Sequence, residues 1–142
     1  MENSPIIIER TYNATSTKVW NAITDKEQMQ KWYFYVSDFK AEPGFKFTFS
    51  GQGTTGEKHL HLCKVIEAVP QKKLSYTWQY EGKTGSSQIT FDLTSEGEKT
   101  RLTLTHSGVE TFAASGADFA KTSFAEGWKM IIGTSLRDFV EK

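Results

Sequence analysis

The sequence predicts an α+β fold in which a curved antiparallel sheet of six or seven strands wraps around a long C-terminal helix, with two short helices after the first strand. Between Phe39 and His106 the apolar residues mostly alternate with period two, as in strands with one apolar face. From Ser123 onward they recur at spacings of three and four, as in an amphipathic helix. Short hairpin signals, EGKTG and SEGEK, favour an antiparallel meander.

Local signals predict the N-terminal elements. The stretch IIIERTY is rich in β-branched residues, which predicts the first strand. Helical spacing begins in STKVWNAIT, with Ser16 as the predicted N-cap. Thr24 and Glu27 have the spacing of a capping box, which predicts a second short helix.

The later segments have clear inward faces. Alternation predicts which side chains share one face of the sheet. They are the phenylalanines of FKFTFS, the aromatic residues of KLSYTWQY, and the leucines and His106 of TRLTLTH. In the terminal segment, SFAEGWKMIIGTSLRDFVEK, Ser123 and Glu126 form another capping-box candidate. Gly127 and Gly133 each cost about 1 kcal/mol relative to alanine within a helix. Such a cost suggests either close approach by another element or space left for something else.

The width of the sheet predicts a cavity. A helix is about 10 Å across and covers two or three strands spaced about 4.8 Å apart, so a wider sheet must curl around it. The remaining gap is a candidate ligand pocket; the alternative is that aromatic side chains fill it. The candidate ligand-binding residues are the rings and histidines considered for this interior: Trp32, Phe47, Phe49, His61, Tyr76, Trp78, His106, Phe124 and Trp128.

Composition narrows the possible classes of protein. The 142 residues suffice for one domain, which we take as residues 1–142. Lys+Arg and Asp+Glu both number 17, so no charge excess indicates binding to nucleic acid or to an anionic membrane. No segment approaches the roughly 18 apolar residues of a membrane span. The N-terminal MENSPIIIERTY lacks the basic stretch of a secretory signal, and a single cysteine forms no internal disulfide, so we expect a cytoplasmic protein.

The stretch HLHLC alternates two histidines with the only cysteine. His59 and His61 would lie about 6.6 Å apart on one strand face, but Cys63 would lie about 13 Å from His59, too far to share one metal ion. We therefore predict no metal site and no cofactor. The pattern favours Leu60 and Leu62 facing the core, unless a β-bulge changes the phase of the strand. The alternative directs His61 and Cys63 into the cavity.

His106 is the clearer pocket candidate because its strand alternates without ambiguity. A neutral imidazole there could donate to or accept from a ligand oxygen, or a backbone carbonyl could cap it at the strand end. The sequence contains no Ser-His-Asp order, nucleophile elbow, phosphate-binding glycine loop or zinc-protease helix. Inward carboxylates are scarce, so an enzyme lacks a candidate acid–base pair and a binding function is favoured.

Several quoted segments resemble one family over most of the chain. ATSTKVWNAITDKEQMQKWY resembles the start of the START-like helix-grip (SRPBCC) superfamily, and more closely that of the heat-shock-protein-90 ATPase activator homologues. VIEAVPQKKLSYTW, KTRLTLTHSG and EGWKMIIGTSLRDFVE resemble later segments of the same branch. The resemblance implies a helix-grip fold with a hydrophobic cavity under the long helix. It does not imply one activity, because the branch includes co-chaperone domains, lipid or polyketide binders and cyclase-like enzymes.

Three functional hypotheses follow. The first is binding of a small hydrophobic molecule, such as a lipid, polyketide or aromatic metabolite, by a monomer or homodimer. The second is a cyclase or hydrolase in which His106 pairs with Tyr76 or His61. The third is a chaperone-interacting module, although the chain has no room for the additional N-terminal domain of the eukaryotic activators. That module would need an exposed apolar patch, for example at GVETFAASGADF, where Phe112 and Phe119 could also belong to a lid.

Overall fold

The sheet has six antiparallel strands in the order β1-β6-β5-β4-β3-β2. The structure, a computed structural model, describes residues 5–33, 36–52, 58–115 and 121–141. Consecutive strands from β2 to β6 pair with each other, and β1 pairs with β6. The strands are β1 (Ile6–Tyr12), β2 (Lys46–Gln52), β3 (Lys58–Val69), β4 (Lys73–Tyr80), β5 (Ser87–Glu96) and β6 (Lys99–Ser107).

Two short helices follow β1, and a helical segment ends the chain, so the predicted fold class is confirmed. The terminal helix is α-helical at both ends and π-helical in its middle. The helices are α1 (Ser16–Thr24), α2 (Lys26–Trp32), a 3-10 helix (Val109–Ser115), α3 (Lys121–Met130), the π segment (Ile131–Leu136) and α4 (Arg137–Val140).

The predicted helix caps are wrong by one or more residues. Thr15, not Ser16, caps α1, because its hydroxyl accepts from the backbone N–H three residues later. The N-cap of α2 is Asp25, and the Thr24 hydroxyl instead donates to a carbonyl one turn earlier in α1. Ser123 lies inside α3 and therefore does not start it. At α1 and α2 the predicted residue is a hydroxyl residue next to the true cap, and the sequence signal does not distinguish neighbours.

Strand β3 reverses its inward phase at a β-bulge. His61 and Cys63 are each only 5% exposed, whereas Leu60 and Leu62 are half-buried, so the prediction that these leucines face the core is wrong. The pairing of β3 with β4 shifts register just after Val65. A bulge inserts one extra residue, so the inward positions are odd-numbered before it and even-numbered after it. The first half of β3 thereby directs an imidazole and a thiol into the interior.

The terminal helix buries one residue in every four. An ordinary α-helix has 3.6 residues per turn, so a line of residues spaced by four would rotate about 40° at each step. The wider turn of the π segment counteracts this rotation and keeps the line facing the sheet. The Tyr12 hydroxyl fixes this segment to β1, because it donates to the Ile132 carbonyl at 2.6 Å. The buried line is Phe124, Trp128, Ile132, Leu136 and Val140.

The two helical glycines have different surroundings, which gives a first prediction. A Cβ at Gly133 would lie 3.4 Å from the Nε of Arg10, whereas a Cβ at Gly127 would meet none of the described atoms within 4 Å. We expect Gly127→Ala to raise the free energy of unfolding by about 0.5–1 kcal/mol, because alanine loses less backbone entropy in a helix. Gly133→Ala should raise the free energy of unfolding by less, because the Arg10 side chain must move to make room for the added Cβ. Urea denaturation at constant m-value measures both, and a destabilised Gly127→Ala protein would contradict the prediction.

Candidate ligand-binding site

A continuous layer of aromatic rings lies between the sheet and the terminal helix. Every candidate ligand-binding residue of the sequence analysis is buried in it, and most contact one another directly. Trp32 joins the others through Tyr33, whose ring stacks on it at a centroid distance of 4.9 Å. The sheet register aligns Phe49, His61 and Tyr80 side by side across β2, β3 and β4. The fold thus brings the predicted residues together, while their role in binding stays a prediction.

Trp78 is central to this layer. Its ring lies 4.7 Å from that of His61 and 5.4 Å from that of Phe49, both in an edge-on arrangement. It also lies 5.6 Å from Trp128 of the terminal helix, so it links the sheet to the helix. Its indole N–H donates to the Tyr80 hydroxyl at 2.8 Å, which satisfies the one polar atom of the ring.

The His106 side chain is fully buried and hydrogen-bonded at both ring nitrogens. The indole of Trp128 donates to Nδ1 at 2.9 Å, so Nδ1 carries no proton. The proton is therefore on Nε2, which lies 2.9 Å from the Ser87 hydroxyl, and Ser87 donates onward to the Trp78 carbonyl. Burial lowers the pKa of His106 to about 3, which keeps the imidazole neutral. The alternative of a backbone carbonyl cap is wrong for His106.

His61 is held by stacking and by a local hydrogen bond. Its Nδ1 lies 3.0 Å from the His59 carbonyl, and because a carbonyl only accepts, Nδ1 carries the proton. The ring stacks on Phe49 with a centroid distance of 4.3 Å and lies 4.6 Å from the ring of Tyr80. Burial lowers the pKa of His61 to about 4, so this imidazole is also neutral near pH 7.

Two tyrosine hydroxyls meet inside the ring layer. The Tyr33 and Tyr76 oxygens lie 2.9 Å apart, with Tyr33 half-buried at the end of α2 and Tyr76 only 1% exposed on β4. Burial raises the pKa of both phenols, so both remain protonated. The thiol of Cys63 lies close enough to influence both electrostatically, and burial raises its pKa as well.

Sequence reasoning missed Tyr33, Tyr80 and Ser87 as parts of this site. Tyr33 follows the last helical residue of α2, so no periodicity assigned it a face. Ser87 does share the inward phase of β5 with Ile89, and that phase is a usable signal. Its value as a partner of His106 depends on the pairing of β5 with β6.

The 3-10 helix covers one end of the ring layer. Phe112 is fully buried and packs against Tyr80 and Phe124 at centroid distances of 5.1 and 6.0 Å. Phe112 therefore does not form the exposed patch that the interaction-module hypothesis considered. Phe119 lies outside the described residues.

Two kinds of feature are absent from the described part of the chain. Within it, no group of three or more histidine, cysteine, aspartate or glutamate side chains is arranged to hold a metal ion. No helix in the same part of the chain has the length and apolar character needed to cross a membrane.

The curved sheet, the two short helices after β1 and the gripped terminal helix define a START-like helix-grip protein. Residues 13–141 match the family described as Activator of Hsp90 ATPase homolog 1-like protein, and the chain belongs to this family. The predicted resemblance is therefore confirmed. A comparison with curated proteins gave no significant match.

Solved structures share the fold. A Bacillus halodurans protein is 31% identical, with a TM-score of 0.75 and 96% of each chain covered. A Chromobacterium violaceum protein is 21% identical, with a TM-score of 0.82, covering 100% of this chain and 99% of the other. A protein from the dynemicin biosynthetic locus is 21% identical, with a TM-score of 0.78 over 98% of this chain, which spans only 48% of that protein. The two similarities at 21% identity concern the fold alone.

Proposed function

We propose that the chain binds a small hydrophobic molecule between the inner face of the sheet and the terminal helix. The observation that carries the proposal is the half-buried Tyr33, whose hydroxyl contacts the buried hydroxyl of Tyr76 within the ring layer. Tyr33 is thus a partly exposed residue whose hydroxyl meets a buried hydroxyl in an interior lined mainly by aromatic rings. Ligand sites in proteins combine an apolar, aromatic lining with a few such polar groups.

The catalytic alternative receives less support. It required His106 to pair with Tyr76 or His61. Both ring nitrogens of His106 instead contact Ser87 and Trp128, and the imidazole is neutral and acts as a structural link. A general base needs an accessible nitrogen within reach of the reacting proton.

The NMR resonances of the tryptophan indole N–H groups provide a direct test of binding. We expect naphthalene, added to the protein, to shift the indole N–H resonances of Trp78 and Trp128, because both rings line the proposed site. The resonance of Trp20, a half-buried residue of α1 that makes none of the ring contacts described above, serves as an internal control. Native mass spectrometry of protein purified from cells should reveal an added mass that is lost on denaturation. Unchanged indole resonances together with a bare protein mass would refute the proposal.

A further inference from the structure

The interior polar groups described by the structure are neutral. Its two buried histidines are uncharged at neutral pH, and the other buried polar groups are hydroxyls, indole N–H groups and the thiol of Cys63. Every lysine and arginine whose side chain is described is exposed or half-buried. In addition, residues 34–35, 53–57 and 116–120 include no lysine or arginine in the sequence. Among the side chains that the structure describes, which do not include those of Lys58 and Lys142, the ring layer thus has the surroundings of a site for an uncharged molecule.

An interior without charged groups discriminates against charged ligands. A carboxylate that enters an apolar interior loses its hydration, which costs several kcal/mol unless a cation or several donors compensate. His61 and His106 do not supply a compensating positive charge. Each would have to become protonated inside the protein, and burial disfavours the charged imidazole, as the lowered pKa values of both residues indicate. A ligand with a carboxylate head would therefore leave its charge at the surface or bind in its protonated form.

The Tyr33–Tyr76 pair supplies a hydrogen bond to a neutral ligand. When one hydroxyl donates to the other, the accepting hydroxyl still has its own proton to donate. With Tyr33 as the donor, the proton of Tyr76 is directed away from Tyr33, and Tyr33 is the hydrogen-bond partner of Tyr76 among the described residues. The rings of Phe47 and Phe91 lie 5.1 and 6.1 Å from the Tyr76 ring, and the Cys63 thiol is also close, so the surroundings are mainly apolar.

We infer that the site selects a neutral molecule with an apolar body and one hydroxyl or carbonyl oxygen, which accepts a hydrogen bond from the Tyr33–Tyr76 pair, over an anion of the same shape. This inference rests on the proposed function and narrows its ligand class. Fatty acids and other carboxylate lipids are thereby disfavoured, whereas alcohols, phenols and ketones are favoured.

Three probes that share one ring system test the hydrogen bond and the selection against charge separately. Calorimetry at pH 7.5 would compare naphthalene, 2-naphthol and 2-naphthoate. We expect 2-naphthol to bind about two- to tenfold more tightly than naphthalene, as one added hydrogen bond provides. The naphthoate should bind at least about tenfold more weakly than 2-naphthol because of its charge. Equal or tighter binding of the naphthoate overturns the inference, and failure of all three probes to bind refutes the proposed function itself.

A pair of matched variants locates the hydrogen bond. Tyr76→Phe keeps the ring and removes the hydroxyl, so it should abolish the advantage of 2-naphthol over naphthalene, measured as the ratio of the two dissociation constants in this variant. Tyr12→Phe removes a buried tyrosine hydroxyl from the contact with the terminal helix at Ile132 and should preserve that advantage. An undiminished advantage in Tyr76→Phe contradicts the assigned role. The comparison of 2-naphthol with 2-naphthoate uses the unaltered protein, so the inference stays testable even if Tyr76→Phe does not fold.

Discussion

Acidification from pH 7.5 to pH 4.5 will lower the free energy of unfolding by on the order of 5 kcal/mol, a large share of the roughly 5–15 kcal/mol typical of a domain. The cause is the pair of buried imidazoles. Burial lowers the pKa of His61 to about 4 and that of His106 to about 3, whereas an unfolded histidine has a pKa near 6.5. Between pH 6.5 and pH 4.5 the unfolded chain therefore binds protons at these two histidines, whereas the folded chain binds few.

The pH window follows from the same values. The stabilisation is complete above about pH 6.5, falls as the pH drops below that value, and is fully lost only near the folded pKa values of about 3 and 4. Urea denaturation at intervals of pH measures it. His61→Gln should flatten the dependence, because it removes one of the two buried imidazoles. A stability that stays constant from pH 7.5 to pH 4.5 would be incompatible with two buried neutral histidines.

Replacement of His106 by leucine will cost about 2–4 kcal/mol of folding stability. The leucine fills much of the volume but leaves the Trp128 indole N–H without its acceptor in a fully buried position. Ser87 retains its bond to the Trp78 carbonyl, so the loss concentrates at Trp128. The expected effect is therefore larger than that of an apolar substitution of similar size elsewhere in the core.

A double-mutant cycle isolates this contact. Trp128→Phe combined with His106→Leu should cost less than the sum of the two single changes, with a coupling of about 1–2 kcal/mol, because the double variant leaves neither partner unsatisfied. Trp32→Phe is the matched control, since its indole donates to the Ala22 carbonyl instead. Its effect should add to that of His106→Leu within about 0.5 kcal/mol. Additive behaviour of the His106 and Trp128 changes would argue against the hydrogen bond.

Several features of the fold could be predicted because they depend on neighbours in the chain. Alternation in β4, β5 and β6 correctly identified the inward residues, including Tyr76, Trp78 and His106. The periodicity of the terminal helix likewise identified Phe124 and Trp128 as buried. These predictions succeed because a side chain's face is fixed by its position within one strand or helix.

Other features depend on contacts between distant segments. The bulge in β3 reverses the direction of His61 and Cys63 relative to the unbroken pattern, and it is visible only in the pairing with β4. The π segment lies against β1, where Tyr12 bonds to Ile132, and these two residues are far apart in the chain. Local propensity does not contain this information, because tertiary contacts decide where a strand or helix departs from regular geometry.

The sequence by itself determined the class of fold, the aromatic character of the interior and the identity of most of the buried rings. These properties follow from periodicity and composition, which act over a few residues at a time. Only the tertiary structure decided that His106 is a neutral link between Ser87 and Trp128, and that Tyr33 meets Tyr76. The reason is physical: a hydrogen bond needs two atoms within about 3 Å, and strand register and helix placement set that distance.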